Sequence, residues 1–258
     1  MRNIINWKLF FALLAACFIC ILFIMPYTLA LAPSLLETVP LGLFVAAQTL
    51  QTTILCAIAI FGGLLLAKKT GLGLPVLEGW LSGAGVMPRL KPILKLSILA
   101  GALAGVAIIL LSLPFAELSQ ELLGAETNVA AWQGFLASFY GGVVEEVLFR
   151  LFLLNLFVWL SIKIAKTKEG RPTPAGTWIS IMLSAVLFGL GHLGITGELT
   201  AITAEVIVRA IVLNGVGAVV FGWLYWRKGL ESAMIAHFSA DIVLHIITPA
   251  VAALFIAA

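Results

Sequence analysis

The chain has 258 residues, of which 62% are apolar and only 10% charged, and its mean hydropathy is +1.15. A soluble globular domain carries about a quarter charged residues, so the composition excludes a soluble enzyme and describes an all-α, polytopic membrane protein, a transmembrane helical bundle. The net charge of +3 does not point to a nucleic-acid partner, because membrane topology accounts for the bases.

Crossing the hydrocarbon takes about 20 apolar residues. Seven runs approach or exceed that length: 8–32, 42–67, 93–115, 130–164, 177–194, 200–226 and 230–256. The first reads as an uncleaved span. Leu14-Ala15-Ala16-Cys17 resembles a lipoprotein processing box and Ala30-Leu31-Ala32 a signal-peptidase site. Apolar sequence nevertheless continues from Phe18 to Met25, and Pro33 follows the second site. Cys17, Cys20 and Cys56 lie inside apolar runs and read as packing residues. The connector 68–92 is rich in Gly and Pro but carries Leu74, Leu77, Trp80 and Leu81, which suits a segment lying on the membrane surface as well as a flexible link. Gly141-Gly142 would kink or divide the long fourth span, and Pro249 would break the seventh; the count is then eight.

Thirteen of the fifteen bases fall in alternate connections: Arg2 and Lys8; Lys68 and Lys69; Arg89, Lys91 and Lys95; Lys163, Lys166, Lys168 and Arg171; Arg227 and Lys228. The other connections hold no Lys or Arg but hold Glu37, Glu117, Glu121, Glu126 and Glu198. The positive-inside rule assigns the basic set, and with it the N-terminus, to the cytoplasm. The expected location is a bacterial plasma membrane, with membrane lipids as the surrounding solvent. Residues 1–125 carry no diagnostic motif, whereas 126–258 hold every ionisable group placed inside a span, which argues against a carrier built from two matching halves.

Those groups are Glu145, Glu146, Arg150, His192, Glu205, Arg209, His237, Asp241 and His245. Each costs a few kcal/mol at the centre of a span and needs a partner or a purpose. Glu146 and Arg150 are four apart with Glu first, the favourable order for an ion pair, and Glu205 with Arg209 repeats the arrangement. Glu145 is rotated about 100° from Glu146 on an α-helix and has no base at i+3 or i+4. It therefore faces another helix or water, as a general base or metal ligand does. Candidate partners are few. The three histidines lie in spans five and seven, and Asp241 is the only aspartate. His192 ends Phe188-Gly189-Leu190-Gly191-His192, where glycines permit close helix approach. His237 and Asp241 share a face at i,i+4. His245 fits no spacing as well and reads as structural. Counting from span ends leaves His237 about 10 Å from the basic end, with Glu145 at mid-depth and His192 near the other end, so convergence requires tilt.

Glu145-Glu146-x-x-x-Arg150, Phe188-x-x-x-His192 and His237-x-x-x-Asp241, on separate spans in this order, resemble the three motifs of the CPBP family, which contains the type II CAAX prenyl endopeptidases and the bacteriocin-processing or Abi proteins. The resemblance covers about residues 126–250. Leu151 follows Arg150 where a glycine is common, and Asp241 fills a position that is Asn in some members. The resemblance implies an intramembrane endopeptidase acting on membrane-embedded or lipid-modified peptides, with Glu145, His192, His237 and Asp241 catalytic and Glu146, Arg150 and Phe188 supporting. Water activation has two versions. In one, Glu145 and His192 polarise water, while His237 and Asp241 hold the oxyanion or orient its donor; because an ionised Asp241 would repel an oxyanion, it is either protonated or the acceptor that holds His237 in the donating tautomer. In the other, Glu145, His192 and His237, with or without Asp241, ligate zinc, although the chain has no H-E-x-x-H motif. Two further functions compete: a non-proteolytic immunity or scaffold role on the same fold, and a proton-coupled carrier.

Overall fold

The computed structural model describes residues 4–119, 124 and 129–251. Arg2, Glu121, Glu126 and the end of the seventh apolar run lie outside the described residues. Seven helices are long and apolar enough to cross a membrane: α1 Trp7–Leu31, α2 Leu41–Thr70, α4 Met87–Ser119, α5 Ala131–Ile164, α6 Pro174–Gly197, α7 Ala204–Lys228 and α8 Leu230–Val251. A short helix, α3 Pro75–Leu81, precedes α4. Apart from an isolated bridge between Lys166 and Pro172, the described secondary structure is helical, because in hydrocarbon every backbone N–H and C=O must be satisfied within the segment. The chain is an integral multi-pass membrane protein, an all-α helical bundle.

The lipid-facing surface is apolar, with Leu43, Leu50, Ile58, Leu103, Leu110 and Ile179 all exposed. The interior instead collects polar groups. Ser97, Ser138, Glu146, Arg150, Asn155, Thr177 and Ser232 are essentially without exposure. They bond across helices as well as along them: Ser97 on α4 meets Ser232 on α8 at 2.7 Å. Asn155 on α5 accepts from Thr70 and donates to the Tyr225 hydroxyl, which in turn donates to the Leu72 carbonyl.

Three sequence expectations change. The connector 68–92 is structured, since α3 buries Val76 and Gly79 and Glu231 accepts from the Leu77 amide at 2.8 Å. Helix α4 starts at Met87, so Arg89, Lys91 and Lys95 sit on its first turns. The pair Gly141-Gly142 neither breaks nor divides α5. Instead α5 winds as a π-helix over Tyr140–Glu145 and Val147–Leu154, and α8 does the same over Val243–Ile247 before running helically past Pro249.

Glycine sets how closely the site-bearing helices approach. A Cβ on Gly101 or Gly105 of α4 would run into the backbone of Ala236 or into Val243 of α8. On the opposite flank, a Cβ on Gly142 of α5 would lie 3.0 Å from the Met234 carbonyl. Helix α8 is thereby held between α4 and α5.

The basic connections meet at one end of the bundle. Lys68 at the end of α2 donates to the Ile4 carbonyl at 2.6 Å, and the Leu230 amide starting α8 donates to Gly73. At the opposite end, Gln133 donates to the Pro26 carbonyl and the Tyr27 hydroxyl meets His245 Nδ1 at 3.0 Å.

Candidate active site

The described ion pairs all lie in one cluster, formed where α5 faces α8. At its centre is His237. Its Nδ1 is 2.7 Å from Glu146 Oε1, and the same oxygen is 3.0 Å from Arg150 Nη1. The opposite ring nitrogen, Nε2, stands 3.6 Å from Glu145 Oε2 and 3.6 Å from Asp241 Oδ1. Both gaps are slightly long for direct hydrogen bonds. The two adjacent glutamates thus flank the two nitrogens of one imidazole.

The local winding and the glycine beside it make this possible. The π-helical turns around residues 140–154 set the directions of Glu145 and Glu146, and π segments recur at functional sites. Gly141 lies against the carboxylate of Asp241 and 3.0 Å from His237 Nε2 when a Cβ is built on it, so any side chain there would displace the site.

Exposure is graded across the cluster. The Glu146 and Arg150 side chains are 0% and 1% exposed, His237 6%, Asp241 11% and Glu145 20%. Glu145 is therefore the carboxylate that meets solvent or a ligand, while Glu146 is sealed in.

Arg150 has little besides Glu146 to bond. Its guanidinium lies over the ring of Phe188 at 4.6 Å and that of Phe221 at 5.4 Å, an arrangement in which ring faces stabilise a desolvated cation. Phe188 is also the link to His192. The two histidine rings pack edge-to-face with it, His192 at 4.7 Å and His237 at 5.7 Å between centroids. The imidazoles therefore stand within about 10 Å of each other.

His192 is the C-cap of the Pro174–Gly191 helix. There its Nδ1 lies 2.8 Å from the Phe188 carbonyl. A carbonyl only accepts, so Nδ1 carries the proton and Nε2 of the neutral ring is left as a base. By the same logic the Glu146 carboxylate accepts from His237 Nδ1–H. The acceptor at hydrogen-bond distance from His237 is thus Glu146, not Asp241 as the sequence suggested. Gly189 permits the crossing behind Phe188: its Cβ would lie 2.6 Å from Ile211 Cα of α7.

One contact was invisible in the sequence. Phe221 of α7, 2% exposed, stacks on His237 at 4.6 Å with the planes 19° apart. An apolar residue in an apolar span gives no contrast to find it by. The expected Glu205–Arg209 pair is not among the described ion pairs. Glu205 is exposed in the first turn of α7, and Arg209 donates to the Ser119 hydroxyl at 3.2 Å. His245 contacts Tyr27 in both hydrogen-bond and ring geometry. Cys17, Cys20 and Cys56 are buried free thiols in the main core.

A zinc ion held by Glu145, His192 and His237 would need all three donors within about 2.2 Å of one point. Among the described residues no three His, Cys, Asp or Glu side chains converge in that way. Glu145, His192 and His237 are thus not gathered as a three-donor site among the described residues.

Fold and cluster together define a multi-pass membrane protein with a buried acid–base centre, built from carboxylates and imidazoles on three separate spans. Residues 127–243, which contain every member of that centre, match the family described as type II CAAX prenyl endopeptidase Rce1-like. That match supports a CPBP-type intramembrane protease and indicates a CAAX-protease-like enzyme. No curated protein and no solved structure matches the chain.

Proposed function

We propose that the protein hydrolyses peptide bonds of membrane-embedded or lipid-modified substrates, with Glu145 activating the water and no metal taking part. The observation that carries this reading is the unequal placing of the two glutamates. Glu146 is sealed against Arg150 and His237 Nδ1, while Glu145 is partly open and faces His237 Nε2.

A water held beside Glu145 attacks the scissile carbonyl carbon, and its proton passes to the carboxylate. His192 Nε2, left basic by the bond from Nδ1 to Phe188, is the second group able to take it. The carbonyl oxygen becomes an oxyanion. With Nδ1 bound to Glu146, His237 donates from Nε2 only as the doubly protonated ring, which has Glu145, Glu146 and Asp241 as counter-charges. That Nε2–H is the donor to the oxyanion. Asp241 bears on the ring that donates rather than on the oxyanion. Collapse breaks the C–N bond, and the proton held by Glu145 is delivered to the leaving nitrogen. Phe188 and Phe221 restrict the rings and exclude water from Arg150.

The test is purification in detergent with metal analysis, paired with cleavage of a fluorogenic farnesylated peptide and of unmodified membrane peptides. Glu145→Ala and His192→Ala are expected to lose about 10²–10⁴-fold in turnover, and wild-type turnover is expected to survive chelation. Full activity in Glu145→Ala refutes the mechanism, and loss of activity on chelation refutes its metal-free form.

A further inference from the structure

We propose that the basic end of the bundle holds a binding site for the headgroup of an anionic phospholipid, separate from the acid–base centre and independent of the proteolytic reading. A cavity of about 850 Å³ opens there between the start of α1, the end of α2, the start of α3 and the end of α7. Its lining is amphipathic. Leu9, Leu64, Leu72 and Leu74 form apolar walls, while Lys68, Arg227 and Lys228 face Glu78 as the one acid, an excess of two positive charges.

The bases that close α7 are available to a ligand. Neither Arg227 nor Lys228 forms an ion pair among the described residues. The Arg227 guanidinium is braced over the neighbouring Trp226 ring at 5.2 Å. The Glu78 carboxylate accepts from the Leu74 amide at 3.4 Å.

Depth identifies the occupant. Trp7 begins α1, Trp178 lies in the first turns of α6, and Trp159 and Trp226 lie near the ends of α5 and α7, all toward this end of the bundle. Tryptophan concentrates at the level of lipid headgroups. Basic pockets between spans at that level recognise phosphorylated headgroups, with each base worth about 1 kcal/mol against an anionic leaflet. The volume lies in the range of whole-molecule ligand sites, and the apolar walls suit the roots of acyl chains.

The experiment uses the full-length protein in phosphatidylcholine nanodiscs, titrated with phosphatidylglycerol, more phosphatidylcholine, or inorganic phosphate, and read by native mass spectrometry. Phosphatidylglycerol is expected to bind at least tenfold more tightly than phosphatidylcholine. R227Q/K228Q is expected to weaken it roughly 30-fold. K91Q/K95Q removes equal charge from α4 outside the cavity and is expected to change nothing. Equal losses in the two variants overturn the site in favour of diffuse attraction, and displacement of the lipid by millimolar phosphate overturns the lipid in favour of a soluble anion. Should R227Q/K228Q fail to fold, a photoactivatable phosphatidylglycerol on the wild-type protein decides. Labelling of residues 64–78 and 225–229 upholds the site, and labelling elsewhere alone overturns it.

Discussion

Replacing Glu146 separates two roles that the sequence merges. One oxygen of this side chain serves Arg150 at 3.0 Å and His237 Nδ1 at 2.7 Å, and the three side chains are 0%, 1% and 6% exposed. Glu146→Leu strands a buried cation, which costs about 3–5 kcal/mol. For a chain of this size that lowers the unfolding midpoint by roughly 6–20 °C at a fixed scan rate. Adding Arg150→Met removes the stranded charge, and a buried pair exchanged for apolar residues of similar volume is close to neutral. What remains is the His237 N–H without its acceptor, about 1–3 kcal/mol. The double variant is therefore expected to regain most of the lost stability. Cleavage is not expected to return: without the Glu146 carboxylate as acceptor and counter-charge, His237 is less able to hold the doubly protonated form that donates from Nε2, which should leave turnover about 100-fold below wild type. The assay is thermal unfolding in detergent beside peptide cleavage on the same preparations. If Glu146→Leu/Arg150→Met cleaves within threefold of wild type, Glu146 only neutralises Arg150, and the reasoning about His237 is wrong.

Gly141→Ala places a methyl group against the Asp241 carboxylate and His237 Nε2; overpacking of about 1–3 kcal/mol and a turnover loss on the order of 10²-fold are expected in unfolding and cleavage assays. Phe221→Leu removes the ring stacked on His237 at 4.6 Å while retaining an apolar side chain, and about tenfold slower turnover is expected with a midpoint only a few degrees lower, an aromatic contact being worth about 0.5–1.5 kcal/mol. Tyr27→Phe deletes the 3.0 Å contact to His245, at a cost of about 1 kcal/mol and with cleavage unchanged; a tenfold fall in cleavage would place His245 in the reaction.

The spans were legible because hydrocarbon imposes a length and a composition that no competing effect overrides. The same physics singled out the intramembrane charges, and the cluster does gather Glu145, Glu146, Arg150, His237 and Asp241. Helical arithmetic reached its limit at two points. It pairs residues within one helix, so it found Arg150 for Glu146 but not His237, 91 positions away. It also proposed Glu205 with Arg209, which share the spacing but not the environment, since Glu205 is exposed at the start of its helix and nothing there forces a pair. The close approaches at Gly101, Gly141 and Gly189 were open only as a general possibility, because the partner backbone is set by tertiary packing.

The π-winding of α5 has a consequence for which changes the family segment can absorb. Between Tyr140 and Leu154 the helix is wound more widely than an α-helix, so deleting one residue there would relax the stretch toward ordinary winding. The span of 34 residues would remain long enough to insert, and every side chain named above could still be present. Yet a residue lost between Glu146 and Arg150 would leave them three apart instead of four, turning Arg150 by about 100° relative to Glu146 and away from His237. A tally of retained residues would score such a chain as intact, while an alignment gap within this stretch would mark a bundle that still folds but has lost the geometry of its acid–base cluster.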